Sequence, residues 1–425
     1  MNHCKLNILS ILCIMSIPYQ IAARNKITEE QPITVTLNQA EEFMLKHYPL
    51  LRSKDYDILA REAQLTQNKL YDNPAINTTY NVYNPDGKRY FDWSHNGEIQ
   101  LQVEQSIPIG GQHQEKVRES EAMVESSKYT RKDTERQLLE QLDSRLVELF
   151  YLQKENHVYE KENQSLEKIL KAYHEQVEKG NIPAIEAQRI ESLHFQLLKE
   201  QQELITSEKD LQKNIQLLTG LPEDKDIVPV INEQKIIYSL SDLSNLRELL
   251  SLAQSRPDVV AQGLGIQASE HEVKLQKANA LPQVSLQGGY DENGFAIGVG
   301  VSIPIFNHNQ GNIRAAEIQT QQAMLQQEMN KQQMEADIRQ DYNQLFLDKK
   351  IVDEADQNFS NSIDGMINQA EIQYMKRNIS LLEFLDMYTS YKDSYIAIIE
   401  AKNQLLQSAI QLNVHVGRDV IKLNY

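Results

Sequence analysis

Cysteine is almost missing from this chain: of 425 residues only Cys4 and Cys13 carry a thiol. Beyond residue 13 the sequence therefore excludes disulfides and thiol chemistry. Glycine and proline are sparse, at 16 and 12 residues, and between Gln112 and Lys179 there is neither. Long apolar runs are also lacking. The one candidate, Leu6 to Ile17, is too short to span a bilayer as a helix, which argues against an inner-membrane helical protein. Basic charge is in deficit, with 43 Lys and Arg against 60 Asp and Glu. A net charge of −17 argues against nucleic-acid binding, which needs a basic face. Catalytic motifs are absent too: there is no G-x-S-x-G and no P-loop. The ten histidines are dispersed, without the close spacing of metal ligands. The sequence gives no reason to expect an enzyme, a cofactor or a bound metal.

What the chain does have is internal duplication, which sets its architecture. Pro49 recurs as Pro257 and Pro74 as Pro282; 257 − 49 and 282 − 74 both give 208. Ile107-Pro108-Ile109 recurs as Ile303-Pro304-Ile305, 196 further on. Asn181-Ile182 with Glu186 recurs as Asn378-Ile379 with Glu383, and Gly220 as Gly417, all 197 apart. One segment between the second proline and the Ile-Pro-Ile motif is therefore 208 − 196 = 12 residues shorter in the second copy.

Each copy holds a long helix-forming run. Residues 112–179 would extend on the order of 100 Å as a helix, at about 1.5 Å per residue. The matching run, 312–376, is interrupted only by Gly365. Return runs follow at 184–219 and 381–416. Helices this long need lateral partners, and Leu139, Leu142, Leu146 and Leu149 step by 3, 4 and 3 as a coiled-coil seam. Ile338, Tyr342 and Leu345 hold the positions equivalent to Leu142, Leu146 and Leu149 in the second copy.

Before each long helix the period changes from helical to alternating. Four strands are expected, over about 75–83, 97–107, 283–290 and 295–305. On the last, Phe295, Ile297, Val299, Val301 and Ile303 share an apolar face, opposite Ala296, Gly298, Gly300 and Ser302. The first hairpin has the longer tip, with Tyr90, Phe91 and Trp93; Asp291 to Asn293 and Gly294 turn the second. No other strand candidates are obvious. Such strands fit a sandwich or a transmembrane barrel, but four cannot close a barrel alone. A dimer would supply 4 × 2 = 8 strands around a filled interior, and a trimer 4 × 3 = 12 around an open lumen.

The N-terminus favours an envelope location. Lys5, the short apolar run and Ile21-Ala22-Ala23 read as a secretory signal peptide over 1–23. Leu12 fits poorly before a lipidated Cys13, because lipoprotein signals carry a small residue there.

At this point the sequence resembles the TolC-type outer-membrane efflux proteins, from about residue 34 to 418. The strongest matches are Ser302-Ile303-Pro304-Ile305-Phe306-Asn307 and Asn309-Gln310-Gly311, where a strand gives way to a long helix. Ser106-Ile107-Pro108-Ile109 is a degenerate copy. The wording from Asn307 to Gly311 is nearest to the cation and heavy-metal efflux branch. Lys179-Gly180-Asn181-Ile182 and Lys376-Arg377-Asn378-Ile379 match the helix tips, though the second lacks the family's glycine.

The resemblance implies a mainly α fold with a small β part: a homotrimer with a 12-stranded barrel in outer-membrane lipid above a periplasmic helical tunnel. It implies a passive duct, served by a periplasmic adaptor at the tips (Gly180, Asn181, Ile182, Arg377, Asn378, Ile379). An inner-membrane pump of the proton-driven resistance-nodulation-division type would supply the energy. It also places an acidic gate at Glu383 and Asp386. The domains expected are a first repeat over 24–220, an equatorial connector over 221–252, a second repeat over 253–418 and a tail over 419–425. The alternatives left open are a duct for type I polypeptide secretion and a non-conducting coiled-coil envelope protein. The sequence does not name the cargo.

Overall fold

The computed structural model describes residues 32–80, 82–84, 88–91, 99–240, 243–291, 294–358 and 363–423. The signal segment, Trp93 and the turn residues Glu292 and Asn293 lie outside the described residues.

β1 (Ile33–Thr36) pairs in parallel with β6 (Ile227–Val230). Sequence alternation gave no sign of either, because four residues are too few to show a period. α1 (Leu37–His47), α5 (Glu233–Ser239) and α6 (Leu246–Ala253) add side chains to the same apolar cluster. Thr36 and Gln39 close a reciprocal capping box at the start of α1. This belt shares one apolar core with the middle of the long helices, including Val35, Met44, Ile227 and Leu249.

The remaining strands make the sheet. β2 (Ala75–Tyr80), β5 (Ile99–Ile107), β7 (Gln283–Asp291) and β8 (Gly294–Ser302) lie in the order β2-β5-β7-β8, all antiparallel. A two-residue hairpin, β3 (Tyr83–Asn84) with β4 (Arg89–Tyr90), extends the first tip. β8 ends at Ser302, so Ile303 and Ile305, expected inside the strand, lie beyond it. Pro304 has no N–H to give to a ladder, and that stops the strand.

The helices fill the rest. α3 (Gln112–Glu178) is a single helix of 67 residues. It begins after Gly110 and Gly111, whose φ values of 68 and 84 are left-handed and disfavour any side chain. α7 (Pro257–Ala278) and α4 (Ala184–Thr219) pack antiparallel along successive parts of it. Near one end Gln112 donates to the Ala278 carbonyl at 3.0 Å, and further along Asn163 donates to Gln201 at 2.7 Å. α2 (Pro49–Asn68) also lies on α3. The run expected as one helix over 312–376 is described as α8 (Gln310–Asn358) and α9 (Ile363–Met375), on either side of 359–362. α10 (Leu381–Val416) returns along α8. Leu142, Leu146, Leu149 and Ile338 are all 0% exposed. Each is worth about 1.5–3 kcal/mol of transfer free energy.

Candidate functional site

The sheet register separates two chemistries. One face carries rows such as Ile76, Val103, Gly288 and Ile297, then Gln105, Leu286 and Val299. Phe295, Ile297 and Val299 on this face are 83%, 81% and 66% exposed, so the chain itself does not cover them. The opposite face carries Asn77, Gln102, Gly289 and Ala296 in one row. There Gln287 donates to Glu104 at 3.3 Å. A Cβ at Gly300 would come within 2.6 Å of Ser285 Oγ and 2.8 Å of Gln287 Nε2, so the small residue makes room for polar neighbours. β2 and β8 are the two edges of this sheet.

At the far end of the helices the two tips are built alike. Gly180 N–H donates to Val177 O at 2.9 Å and Asn181 N–H to Gln176 O at 2.9 Å. Arg377 N–H donates to Tyr374 O at 2.8 Å and Asn378 N–H to Gln373 O at 3.0 Å. Both patterns are Schellman caps. The Asn181 side chain reinforces the first by donating to Gln176 at 2.8 Å, and Asn378 does the same to Gln373 at 2.6 Å. Arg377 takes the left-handed position of the missing glycine, with φ 57 against 72 at Gly180. Ile182 and Ile379 follow, each half-buried.

Glu383 and Asp386 start α10 three residues apart, both exposed. Glu383 also has a local task. Its carboxylate accepts from Ser380 N–H at 2.8 Å, while Ser380 Oγ accepts from Glu383 N–H at 3.2 Å. That hydrogen bond from the Ser380 backbone holds the Glu383 carboxyl below its usual range. Glu186, the equivalent residue at the start of α4, follows Pro183 and makes no such box. Burial first, and then the Glu186 charge, push the nearby Tyr173 phenol up to about 12.

Behind the two acids lies an aromatic stack that sequence reading missed. Tyr173, Tyr374, Phe384 and Tyr388 follow one another, with ring centroids 6.0, 4.6 and 5.5 Å apart. Tyr388 Oη donates to the Glu162 carbonyl at 3.0 Å. Lys392, 6% exposed, reaches Glu200 at 3.1 Å. The available signal was the spacing of Phe384, Tyr388 and Lys392, four residues apart on one face of α10. Among the described residues no group of three or more His, Cys, Asp or Glu could hold a metal ion. Among them, too, no helix is long and apolar enough to cross a membrane.

The fold matches CusC, whose structures describe transmembrane channel formation (TM-score 0.74, 15% identity, 98% of this chain and 100% of that one). It also matches the Campylobacter jejuni CmeC outer membrane channel (TM-score 0.74, 14% identity, 90% and 85% covered). A third match is the Vibrio cholerae outer membrane protein VceC (TM-score 0.73, 15% identity, 90% and 96% covered). No curated protein matches the sequence. The outer membrane efflux protein family model matches residues 43–221 and 249–418, which include the four-stranded sheet and both helix tips. The chain therefore belongs to the outer membrane efflux protein family, whose members are non-enzymatic transport channels.

Proposed function

We propose that three copies of the chain form the exit duct of a tripartite efflux system, with a 12-stranded barrel in the outer membrane and a helical tunnel below it. The observation that carries this is the four-stranded sheet with an uncovered apolar face and two edges. In lipid no water can satisfy a strand edge, so the sheet must close with other copies. The remaining parts follow from this reading. The signal peptide over 1–23 directs the chain to the envelope. The tips at Gly180, Asn181, Ile182, Arg377, Asn378 and Ile379 meet a periplasmic adaptor. A resistance-nodulation-division pump supplies the energy, since a passive duct has none. The cargo is small molecules or metal cations, a reading supported by the Asn307-to-Gly311 wording.

The gate is placed at Glu383 and Asp386. In a trimer each recurs three times around the axis, and close like charges draw in cations. Because Glu383 is also a helix cap, the single variant Asp386→Ala tests the acidic ring most directly. In planar-bilayer recordings it is expected to lower cation selectivity and weaken block by divalent cations. Glu383→Ala with Asp386→Ala should lower both further. Unchanged selectivity and block in correctly assembled channels would remove the gate from these residues.

A further inference from the structure

Asp143 sits on α3 at the level of the belt and is only 8% exposed, yet its Oδ1 has no hydrogen-bond partner. It lines a cavity of about 480 Å³ between α3, the end of α10 and the C-terminal tail. The charged groups that raise its carboxyl are themselves carboxyls: Glu41 from α1, which shares a hydrogen bond with it, and Asp419 from the tail. Cations line the same cavity, but each is engaged elsewhere. Arg131 pairs with Asp55 at 3.0 Å, and Arg136 pairs with Asp133 at 2.6 Å and donates to the Val414 carbonyl. Arg418 donates to Ser255 at 3.2 Å, and Lys132 lies over the Tyr129 ring at 4.7 Å. From α10 the facing residues are uncharged Ile410, Asn413 and Val414. Glu140 on α3 faces His415, Arg136 and Asp341.

Two neighbouring carboxylates cannot both stay ionised in a desolvated site without a cation. Among the described residues no group of three or more His, Cys, Asp or Glu is gathered there to hold a metal ion. A cationic ligand would meet four cations already in the cavity. A proton resolves the conflict: one carboxyl donates its O–H and the other accepts. We propose that Asp143 and Glu41 form a latch around one shared proton, and that its loss as pH rises loosens α1 and the C-terminal tail from α3. Burial, then the charges of Glu41 and Asp419, holds the Asp143 carboxyl well above its usual range. The latch matters because this is where α10 is anchored. Asn413 holds the tail by accepting from Ile421 N–H at 2.8 Å and donating to Ile421 O at 2.7 Å. The inference does not depend on the cargo or on the position of the gate.

The sign follows from linkage. The folded site binds its proton more tightly than the unfolded chain does. Its contribution is complete below the ordinary Asp value and is lost as pH rises from there through the raised native value. His415, raised by its hydrogen bond with Asp341, loses stability in the same direction, so variants are needed to separate the two. The test is hydrogen exchange at Ile421 N–H in the full chain in detergent, corrected for base catalysis, from about pH 5 to about pH 9. Protection should fall about tenfold or more in the wild type. The fall should be clearly smaller in Asp143→Asn, which keeps the His415 contribution but has no carboxyl proton to lose. Glu41→Gln should reduce the fall likewise and serves if the first variant does not fold. A difference infrared spectrum at neutral pH should show a protonated carboxyl in the wild type that Asp143→Asn lacks. A flat wild-type profile, equal profiles in wild type and variants, or a missing carboxyl band would overturn the latch.

Discussion

At the residue scale, the second helix tip shows a local rule being overridden. A side chain in the left-handed region costs about 1–2 kcal/mol. Arg377 bears that cost, whereas Gly180 at the matching place does not. The Schellman hydrogen bonds and the Gln373–Asn378 side-chain bond hold it there. Arg377→Gly should therefore raise stability, by up to about 1 kcal/mol after glycine's larger loss of backbone entropy. Gly180→Arg should lower it by a similar amount. Thermal unfolding of the purified protein measures both; a destabilised Arg377→Gly would mean that the arginine makes contacts outweighing its strain. Sequence reading left this turn open because it looked for a glycine. The Gln-x4-Asn pairs at 176–181 and 373–378 carried the information instead. Nearby, Ser380→Ala removes a cap worth about 1 kcal/mol. Because the Glu383 carboxyl is held below its ordinary range, the capping box is present above the ordinary Glu value. It is lost as pH falls through the lowered native value. Circular dichroism should show more fraying on acidification in the wild type than in Glu383→Gln, because the Ser380 N–H that the carboxylate accepts from belongs to the backbone and survives Ser380→Ala.

At the element scale, the sheet faces make the sharpest prediction. Val299 lies in the row of Leu286 on the apolar face, and Ser302 pairs with Gln283 on the other. An arginine at mid-bilayer on the lipid face costs about 2–4 kcal/mol. Val299→Arg should therefore impair assembly in outer membranes, and Ser302→Arg should assemble better. Equal assembly, or the reverse order, would show the faces to be inverted. These strands were legible because one face is apolar and the other polar or small, which writes a period of two into the sequence. The α3 run was legible because nothing in it can stop a helix. β1 and β6 were not, since their pairing depends on residues 33 and 227 meeting through the fold. The strand end at Ser302 was misplaced because Ile303 and Ile305 continue the apolar alternation past the point where Pro304 ends the ladder. The aromatic stack behind Glu383 and Asp386 was hidden for a different reason. Tyr173 and Phe384 come from helices that only the tertiary fold brings together. In the long helices the seam is the energetic centre. Leu146→Ala should cost about 2–5 kcal/mol, because the fully buried site lies at the middle of the belt core and has little room to collapse.

At the scale of the whole molecule, what needs explaining is the exposed apolar face and the two sheet edges of a single chain. In water such a sheet would aggregate through its edges. In lipid its apolar face is matched, and every edge group must still find a partner inside the hydrocarbon, where unpaired N–H and C=O groups cost several kcal/mol each. Pairing β8 of one copy with β2 of the next removes both edges at once, and the ring closes when the last copy meets the first. Two copies would close a barrel whose interior side chains fill it. Three would leave a lumen, which suits the small and polar residues from Asn77 to Ala296 on one face of the sheet. The chain should therefore leave outer membranes as a trimer that resists mild detergent, because opening it means exposing strand edges with nothing to bond. Light scattering on the detergent-solubilised protein, corrected for bound detergent, gives the copy number. A monodisperse monomer, or a protein recovered without membranes, would show that the sheet closes by some other means. A dimer would keep the barrel and remove the open lumen.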